Sequence, residues 1–478
     1  MALANLREFV SAIDQAGELA RVARPVSVDK EITEIADRCM KSPAGGPALL
    51  FSQPTLRTGG RSQYPVAVNL FGSERRMALA LGVECLDHVG ARIAELLALK
   101  VPEGLLSKLA MLPRLAEIAK FPPKTTGRPA CQATVFQESD VDLTQFPVPI
   151  CWPEDGGPYI TFGGVITRDP GSGVRNVGMY RVQVLSKNTL AMHWQRHKVG
   201  AAHWRAMAER GETMPVAIAL GGDPASIYAA SAPLPPTIDE FLFAGFLRGE
   251  GVRLAKAVTC DLEVPAEAEI VIEGRIDPRE DLVLEGPFGD HTGFYSLADY
   301  YPKVHVTAIT FRDEPIWPHT IVGRPPMEDY YLGHATERIF LPLLKLTIPE
   351  IVDLHMPAEG IFHNLVFVSI DKQYPGQAYK VMNGLWGQGL MSLAKVIVVV
   401  DKDVNVRDPK EAWWIALNHI DPERDVRFTM GPIDVLDHSS RSFTYGSKMG
   451  IDATRKWKEE GFAREWPNRI VMDAETKQ

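Results

Sequence analysis

The sequence predicts an α+β protein in which a central, mostly antiparallel sheet or barrel lies between two α/β regions. Helical and strand patterns mix in residues 1–120, short strands dominate residues 121–325, and helices and strands alternate again in residues 326–455. Many strands joined by short turns, with few helical crossovers, favour antiparallel pairing. A chain of 478 residues also exceeds one ordinary hydrophobic core. We therefore predict three domains and a tail at 456–478.

The N-terminal region carries the pattern of an α/β unit. Apolar residues recur at helical spacing from Leu6 to Ile13, and Gly17 is placed to end this helix. The remaining predicted elements are a helix after Ser27, strands at 48–51 and 65–70, and helices from Ser73 and His88. Seven prolines between Phe121 and Pro158 then predict an extended surface linker, which places the first boundary near residue 120.

The central region is predicted to be rich in strands. Val182 and Val184 alternate with polar neighbours, as in a half-buried strand. The predicted strands are 160–167, 174–185, 189–194, 215–220, 253–262, 268–273 and 304–311, with helices at 201–209 and 238–248. The segment Gly221-Gly222-Asp223-Pro224 is predicted to be a turn rather than a dinucleotide-binding loop, because no GxGxxG follows a strand.

The C-terminal region predicts a buried sheet. Leu365–Ile370 and Val396–Val400 are continuous apolar runs, which are typical of strands covered on both faces. Helices are predicted at 335–344, 377–384 and 410–417, and the polar tail from Lys456 is expected to be mobile or to dock on a neighbour.

Composition narrows the function classes. A net charge of −9 without any block of like charge argues against a nucleic-acid partner. The five cysteines are scattered without a CxxC pair, which indicates reduced core thiols rather than a disulfide framework or a zinc site. No apolar run has the length of a membrane span, and Arg7 and Glu8 precede any signal-peptide core. We expect a cytoplasmic protein.

The stretch Glu285-Gly-Pro-Phe-Gly-Asp290-His291-Thr-Gly293 places two carboxylates five residues apart. Gly286, Pro287 and Gly289 disfavour a helix or a central strand, so the stretch is predicted to be a shaped turn. A rigid turn with fixed carboxylates suits proton transfer, which requires an accurately placed acid. The alternative is a surface turn with solvated acids.

Several separated stretches resemble the UbiD family of decarboxylases, which use prenylated flavin mononucleotide (prFMN). The matching stretches are Arg175-Asn-Val-Gly-Met-Tyr-Arg181, His193-Trp-Gln-Arg-His-Lys198, Asp261-Leu-Glu-Val-Pro-Ala266, Glu285 to Gly293, Gly323-Arg-Pro-Pro326 and Gly446-Ser-Lys-Met-Gly-Ile-Asp-Ala-Thr454. The resemblance covers nearly the whole chain. It implies a split β-barrel that binds the flavin at 121–325 and a C-terminal domain that forms homodimers, sometimes stacked into homohexamers.

The resemblance also implies a metal site. Asn176 and Glu240 match the family's ligands, and His197 is the candidate for the third, with His193 as an alternative. An amide oxygen, a carboxylate and an imidazole suit Mn²⁺ or Mg²⁺, which would neutralise the flavin phosphate. Potassium is a further candidate ion.

By the same resemblance, Arg181, Glu285 and Asp290 form the catalytic network. Arg181 offers a planar fork to a carboxylate, Asp290 donates the proton that replaces carbon dioxide, and Glu285 holds Arg181. Two neighbouring acids are expected to raise each other's pKa, which would keep one protonated near neutral pH. Because Arg181 lies five residues after Asn176, both reach one site only if the strand twists or bulges.

The remaining site residues are candidates for flavin binding. They are Met179, Tyr180, Arg181, His193, Trp194 and Gln195 around the ring, and Lys198 and Lys395 for the phosphate.

The resemblance therefore predicts reversible, non-oxidative decarboxylation of an aromatic, hydroxylated acid, with prFMN supplied by a partner enzyme. The chain is most similar to the quinone-biosynthesis branch, whose members act on 4-hydroxy-3-polyprenylbenzoate or on dihydroxynaphthoate, and the motifs do not separate these substrates. The absence of a basic amphipathic helix favours a soluble acid of modest size. The alternatives are a physiological carboxylase, a flavin reductase, which would not need the network, and a non-catalytic subunit.

Overall fold

The computed structural model describes residues 2–98 and 116–477, and the chain divides into two compact units, Met1–Phe340 and Leu341–Gln478. Both units combine helices with sheets, so the predicted α+β class is confirmed. The division into three domains at residues 120 and 325 stays a prediction. Within the described residues, no helix has both the length and the apolar character needed to cross a bilayer.

The elements are numbered in chain order. The helices of the described residues are α1 (Leu6–Gln15), α2 (Glu31–Met40), α3 (Glu74–Ala80), α4 (Asp87–Leu97), α5 (Val199–Arg210), α6 (Pro224–Ala229), α7 (Glu240–Arg248), α8 (Glu328–Thr347), α9 (Gln377–Trp386), α10 (Pro409–His419) and α11 (Pro422–Asp425). The strands up to the end of the barrel are β1 (Leu19–Val22), β2 (Val26–Ser27), β3 (Ala48–Phe51), β4 (Pro54–Thr55), β5 (Val66–Val68), β6 (Lys124–Thr125), β7 (Thr134–Gln137), β8 (Tyr159–Ile160), β9 (Gly163–Arg168), β10 (Arg175–Met179), β11 (Val182–Val184), β12 (Thr189–Met192), β13 (Met214–Gly221), β14 (Arg253–Lys256), β15 (Glu263–Pro265), β16 (Ala268–Ile276), β17 (Val283–Glu285), β18 (Phe288–Gly289), β19 (Tyr295–Ser296), β20 (Asp299–Tyr301), β21 (Lys303–Phe311) and β22 (Trp317–His319). The later strands are β23 (Ile351–His355), β24 (Leu365–Ile370), β25 (Val396–Asp401), β26 (Val426–Pro432) and β27 (Tyr445–Asp452).

The N-terminal part of the first unit is a four-stranded sheet with the order β1-β3-β5-β22. Asn5 caps α1 through a hydrogen bond from the Glu8 N–H, and the apolar face of the helix is buried as predicted. Strand β22 joins this sheet although it follows the barrel in sequence. After the last barrel strand, the chain therefore returns to the N-terminal sheet.

The central sheet is antiparallel, as predicted, with the order β10-β9-β13-β16-β21-β12-β11-β8. Strands β10 and β11 lie near its opposite ends, yet only Tyr180 and Arg181 separate them in sequence. The three steps from Met179 to Val182 span at most about 11 Å. The sheet must therefore curl until these strands approach each other, which gives a half-barrel with Tyr180 and Arg181 at its seam.

Three local predictions in the barrel were wrong. The predicted strand 174–185 is broken at Tyr180 and Arg181 into β10 and β11. The predicted strand 253–262 is the hairpin β14–β15, because the carboxylate of Glu273 accepts hydrogen bonds from the N–H groups of Val258 and Thr259 and stabilises a turn there. Helix α6 was missed, although Asp223 caps it at the predicted turn.

The proline-rich segment 121–158 is less exposed than a surface linker. It has little regular structure, yet Phe146, Val148 and Cys151 are buried in the core that also holds the barrel interior. The prolines thus restrict an extended chain that packs inward.

The C-terminal unit is built on a mixed sheet with the order β23-β24-β25-β27-β26. Strands β24 and β25 pair in parallel, and separate apolar clusters cover the two faces, which confirms the interpretation of their continuous apolar runs. The start of the tail docks on its own unit: Lys456 is buried, and the Trp466 indole N–H donates to the Lys456 carbonyl at 2.9 Å. The first residues of the tail are therefore packed within their own unit.

Candidate active site

Arg181 lies at the barrel seam between the two carboxylates of the predicted turn. Its Nε and Nη2 donate to the two oxygens of Glu285 at 2.9 and 3.0 Å. Its Nη1 donates to Asp290 Oδ2, and Nη2 also donates to Ser296 Oγ at 2.9 Å. The Arg181 side chain is 8% exposed and Glu285 is fully buried. The structure thus brings together the three residues predicted to be catalytic, and the surface-turn alternative is wrong.

Two short hairpins form the turn. Strand β17 pairs with β20 and ends at Glu285, while β18 pairs with β19 and directly precedes Asp290. The Gly286 N–H donates to Gln183 Oε1 at 3.0 Å, and the Gly289 N–H donates to Asp155 Oδ1 at 2.7 Å. Gly286 has a φ of +96°, which favours glycine, and the Gly286–Pro287 peptide bond is cis. The turn is therefore held against β11 and against the segment that precedes β8.

The charges of this cluster correct the expectation that the acids raise each other's pKa. Burial opposes ionisation of Glu285, but the His193 hydrogen bond and the charge of Arg181 lower its pKa to about 2. Burial also opposes ionisation of Asp290, but His291 and Arg181 lower the pKa of Asp290 below its usual range. Arg181 stands between the two carboxylates, so attraction to the shared cation outweighs their repulsion. Both acids are ionised near neutral pH.

His193 belongs to the same network. It follows β12, and its Nδ1 lies 2.9 Å from Glu285 Oε2. The Tyr301 ring packs against the imidazole with 4.2 Å between centroids. This places the residue predicted for the flavin, or as a second choice for the metal, against the carboxylate of Glu285.

His291 contacts the other carboxylate. Its Nδ1 lies 2.9 Å from Asp290 Oδ1, which also accepts from the His291 backbone N–H at 2.8 Å. Because the His291 side chain is about one-fifth exposed (21%) while that of Asp290 is 9% exposed, the histidine lies between the buried acid and solvent.

Two of the three predicted metal ligands are adjacent. Asn176 is buried on β10, and Glu240 begins α7 and accepts from the Val177 N–H at 2.8 Å. Burial raises the pKa of Glu240 to about 7. The charge of Arg175 lowers this pKa, but its effect is smaller than that of burial. His197 is exposed in the turn before α5.

Aromatic residues surround the seam beside these ligands. Tyr180 and Trp194 meet edge-to-face at 6.3 Å, and the Gly200 N–H at the start of α5 donates to the Tyr180 hydroxyl at 3.4 Å. A Cβ at Gly200 would lie 2.7 Å from the indole of Trp194, so only glycine permits this approach.

The other predicted flavin residues fall in different places. Met179 ends β10, and its N–H donates to the Ala230 carbonyl at 2.7 Å. Gln195 and Lys198 are half-buried in the turn before α5. Lys395 belongs to the C-terminal unit, where its ammonium lies 2.6 Å from Asp437 Oδ2. The role of each stays a prediction.

Buried polar atoms without partners mark this region. Trp194 Nε1 and His193 Nε2 are buried and make no hydrogen bond to a described residue, while the side-chain amide of Asn176 interacts with the Tyr180 hydroxyl. Buried polar groups are normally paired, so two unpaired ones beside the seam fit a polar ligand.

Several residues of the network were not predicted from the sequence. Ser296 and Tyr301 contact Arg181 and His193, and the guanidinium of Arg181 lies 4.7 Å from the Phe288 ring centroid. Phe288 and Ser296 stand in or next to the predicted turn, so the turn itself was the available signal. No local pattern pointed to Tyr301.

Three family models match separate parts of the sequence. The sequence matches models of the N-terminal, Rift-related and C-terminal domains of 3-octaprenyl-4-hydroxybenzoate carboxy-lyase at residues 10–95, 124–325 and 330–453. An uncharacterised protein of Aquifex aeolicus is 54% identical over 473 residues, covering 99% of this chain and 96% of that protein.

Solved structures share the fold over its full length. The UbiD-class enzyme HmfF from Pelotomaculum thermopropionicum, in complex with FMN, is 29% identical over 99% of this chain and 98% of its own, with a TM-score of 0.82. An evolved dimeric form of HmfF, in complex with prFMN, gives a TM-score of 0.81 at 28% identity, covering 100% of this chain and 99% of its own. Vanillic acid decarboxylase of Sedimentibacter hydroxybenzoicus, in its closed form, is 27% identical over 100% of this chain and 98% of its own, with a TM-score of 0.85.

Proposed function

Because the chain belongs to the UbiD family of carboxy-lyases, we propose that it catalyses the reversible decarboxylation of a hydroxylated aromatic acid with prFMN and a divalent metal. The observation that carries this proposal is the buried Arg181 held between Glu285 and Asp290. Such a cluster keeps a cation and two carboxylates together away from water. A structural role alone would not require it, since buried ion pairs add little stability.

Arg181 binds the carboxylate of the substrate. Its planar fork matches a carboxylate, and the side chain already makes bidentate contact with Glu285. When a substrate carboxylate competes for the guanidinium, Asp290 loses part of the positive charge that lowers its pKa. Asp290 then takes up a proton more readily. Its position beside His291 gives it a partly exposed neighbour through which that proton arrives.

The cofactor fits the residues present. prFMN, when bound, supplies a conjugated ring that accepts the electron pair left behind by carbon dioxide. Trp194 Nε1 is an unpaired buried donor suited to a flavin oxygen, while Met179, Tyr180 and Gln195 would flank the ring. Lys198 is the proposed phosphate partner, whereas Lys395 pairs with Asp437 in the C-terminal unit.

The metal site fits as well. Glu240 is a buried carboxylate whose pKa is raised by burial, and Asn176 on β10 adds an amide next to it. With His197 as third ligand, these hard donors favour Mn²⁺ or Mg²⁺. A metal here would neutralise a phosphate of about two negative charges, and so would bind together with the flavin.

Carbon dioxide release from the prFMN-loaded protein tests the activity. The acids to compare are a hydroxybenzoate, a prenylated hydroxybenzoate, dihydroxynaphthoate and cinnamate. We expect release from the hydroxylated acids, and Asp290→Asn should fold and keep its flavin but lose at least about 100-fold in kcat, because it cannot carry the proton. Turnover of cinnamate alone would contradict the hydroxylated substrate, and undiminished turnover by Asp290→Asn would remove that residue from the reaction.

Glu240→Ala tests the joint binding of metal and flavin. Because the carboxylate is the proposed anionic ligand, we expect both to be lost, as measured by metal analysis and by the absorption spectrum of the purified protein. Glu250→Ala, at an exposed acid just after the same helix, is the matched control. A Glu240→Ala protein with a full complement of flavin and no metal would contradict the proposal.

The reverse reaction is a second candidate, and one observation favours it. Asp290 contacts Arg181, which together with His291 lowers the pKa of its carboxyl group, and a carboxylate held in this way would act as the base that removes the ring proton during carboxylation. Incorporation of labelled bicarbonate into a phenol at high bicarbonate concentration measures this direction.

A further inference from the structure

A cavity of about 190 Å³ lies in the first unit, and none of the residues predicted for catalysis, flavin or metal lines it. Its lining comes from the residues before α1, the end of α3, α4, the start of α6 and the end of α7. An engineered cavity of roughly 150 Å³ holds a benzene ring. The space is therefore large enough for an aromatic ring with one small substituent.

The apolar part of the lining is aliphatic. Leu81, Ala225 and Leu247 are almost fully buried, and Leu3 is half-buried. Transfer of an apolar ring from water to such a surface is favourable, and ligand cavities are lined predominantly by apolar groups with a few polar ones. The lining therefore favours a ligand with an apolar body.

Arg248 provides one charge of the lining. Its side chain is 9% exposed, its Nη1 lies 3.1 Å from Oδ2 of the buried Asp223, and its Nη2 lies 3.1 Å from Glu250 Oε1. Glu250 is 58% exposed, so water screens its charge. Arg248 Nε is buried and has no partner among the described residues, which leaves it as a donor for a ligand.

Arg92 provides the second charge. Its Nη1 and Nη2 donate to the carbonyls of Leu247 and Phe246 at 3.1 and 2.7 Å. Among residues 2–98 and 116–477, no carboxylate forms an ion pair with Arg92, whereas Asp223 pairs with Arg248. The lining therefore carries one more positive than negative charge, which favours a singly charged anion.

We propose that this cavity binds a small aromatic monocarboxylate. The carboxylate lies against Arg92 and Arg248 Nε, since a guanidinium presents N–H donors that match carboxylate oxygens. The ring lies among Leu3, Leu81 and Ala225. A phosphate of about two negative charges would exceed the positive charge of the lining. No bond is made or broken here, so the proposal does not depend on the proposed reaction.

The cavity lies at the opposite end of α7 from the proposed metal ligand. Helix α7 begins with Glu240 and ends at Arg248, and a helix of this length spans roughly 12 Å. Helix α6, whose Ala225 lines the cavity, leads to Ala230, and the Ala230 carbonyl accepts a hydrogen bond from the Met179 N–H. The cavity is therefore separate from the proposed metal site, yet it contacts the helix that carries Glu240.

Fluorine NMR of 4-fluorobenzoate with the purified full-length protein tests the site. The wild type offers two places for a carboxylate, because Arg181 is proposed to bind the carboxylate of the substrate. We therefore expect a bound resonance that persists in Arg181→Gln, which lacks the guanidinium at the seam but keeps the cavity. Absence of a bound resonance from Arg181→Gln would overturn the proposal. If that variant does not fold, loss of the resonance from Ala80→Leu in the wild-type background identifies the cavity instead.

Two variants locate the resonance in the cavity. Ala80→Leu enlarges a buried lining residue, and Arg248→Lys keeps a cation beside Asp223 without Nε. We expect either change to weaken the binding of 4-fluorobenzoate by about 10-fold or more, the size of one lost hydrogen bond to a charged group. Arg253→Lys, at an arginine that is 57% exposed, is the matched control and should bind as the wild type does. Circular dichroism checks that each variant is folded.

Two further probes separate the classes of ligand. Fluorobenzene has the ring without the carboxylate and should bind at least about 10-fold more weakly, while inorganic phosphate should not displace 4-fluorobenzoate. Equal binding of fluorobenzene would make the cavity a purely apolar site, and displacement by phosphate would assign it to phosphate-like anions. Full affinity in both cavity variants would place the bound acid elsewhere. Each of these results contradicts the proposal, and none depends on turnover by the enzyme.

Discussion

Arg181 is the residue on which the charges of the site depend. Burial opposes its positive charge, yet Asp290 and Glu285 outweigh burial and raise its pKa. The arginine in turn lowers the pKa of both carboxylates. Lysine would not replace it, because a single ammonium cannot contact both oxygens of Glu285 together with Asp290 and Ser296.

This coupling predicts acid-sensitive stability. The pKa of Glu285 falls from 4.5 to about 2 on folding, so its contribution is fully present above pH 4.5 and is lost as the pH falls toward 2. At 1.36 kcal/mol per pKa unit, the contribution is on the order of 3 kcal/mol. We expect Glu285→Gln to flatten the decrease of the unfolding free energy between these pH values, as measured by urea denaturation. Glu138→Gln, at an exposed acid, should leave the decrease as in the wild type. A decrease of equal size in Glu285→Gln would contradict the assignment.

The sequence predicted the members of this network better than their contacts. Glu285 and Asp290 stood out because glycines and a proline shape the turn between them, and the resemblance supplied Arg181. The contact of His193 with Glu285 joins residues 92 apart, and no periodic pattern encodes such a pairing. The predicted pKa effect had the wrong sign because it considered two acids without the cation between them.

At the scale of elements, the turn depends on close packing as much as on hydrogen bonds. A Cβ at Gly289 would lie 2.2 Å from the Trp152 ring, and that ring is held by a 2.8 Å hydrogen bond from its Nε1 to the Val322 carbonyl. The neighbouring residue is Asp290. Any side chain at position 289 therefore displaces either the tryptophan or the acid.

Gly289→Ala should accordingly reduce kcat and lower Tm while flavin remains bound. Overpacking of this kind costs about 1–3 kcal/mol, and a misplaced acid transfers its proton poorly. Gly127→Ala is the control, since its Cβ would meet no atom within 4 Å. Kinetics and calorimetry of both variants make the comparison. An active Gly289→Ala enzyme with unchanged Tm would show that the turn and Trp152 move apart to accommodate the added methyl group at little cost.

Elements were predicted where local pattern and burial agree. Two strands match their predicted bounds, namely Ala48–Phe51 and Leu365–Ile370. A continuous apolar run of this length is too short for a helix and is typical of a strand buried on both faces. The break at Tyr180 and Arg181 was not predictable from local pattern, because it follows from the curl of the whole sheet. The start of helix α6 was indicated by Asp223 followed by Pro224, because an N-cap residue before a proline is typical of a helix N-terminus. The sequence prediction placed a turn there but no helix after it.

At the scale of the whole molecule, the order of patterns along the chain predicted the fold class. Segments that return to an earlier sheet were not predicted. Strand β22 pairs with β5, about 250 residues earlier in sequence, and segment 121–158 fills the core instead of crossing the surface. Such long-range pairings leave no local signature.

The C-terminal unit leads to a prediction about assembly. Strand β26 ends the sheet order, so one of its edges is unpaired within the unit. Phe428 and Met430 point to one face of this strand and are 73% and 49% exposed, and Tyr445 on β27 lies on the same face. Exposed apolar residues at a sheet edge mark an interface. We propose that a second copy of this chain covers them in a homodimer, on which a homohexamer would be built.

Phe428→Asp tests this assembly by placing a charge in the proposed interface. We expect the wild-type protein to sediment as a dimer or a larger multiple and Phe428→Asp to sediment as a monomer with an unchanged circular dichroism spectrum. Burying an unpaired carboxylate is costly enough to dissociate such an interface. Thr429→Asp introduces the same charge on the opposite face of the same strand and should leave the assembly intact, because Thr429 points away from the apolar patch. Sedimentation of Phe428→Asp at the wild-type rate would place the interface elsewhere, and equal dissociation by both variants would indicate pairing through the backbone edge of β26 instead of packing through its face.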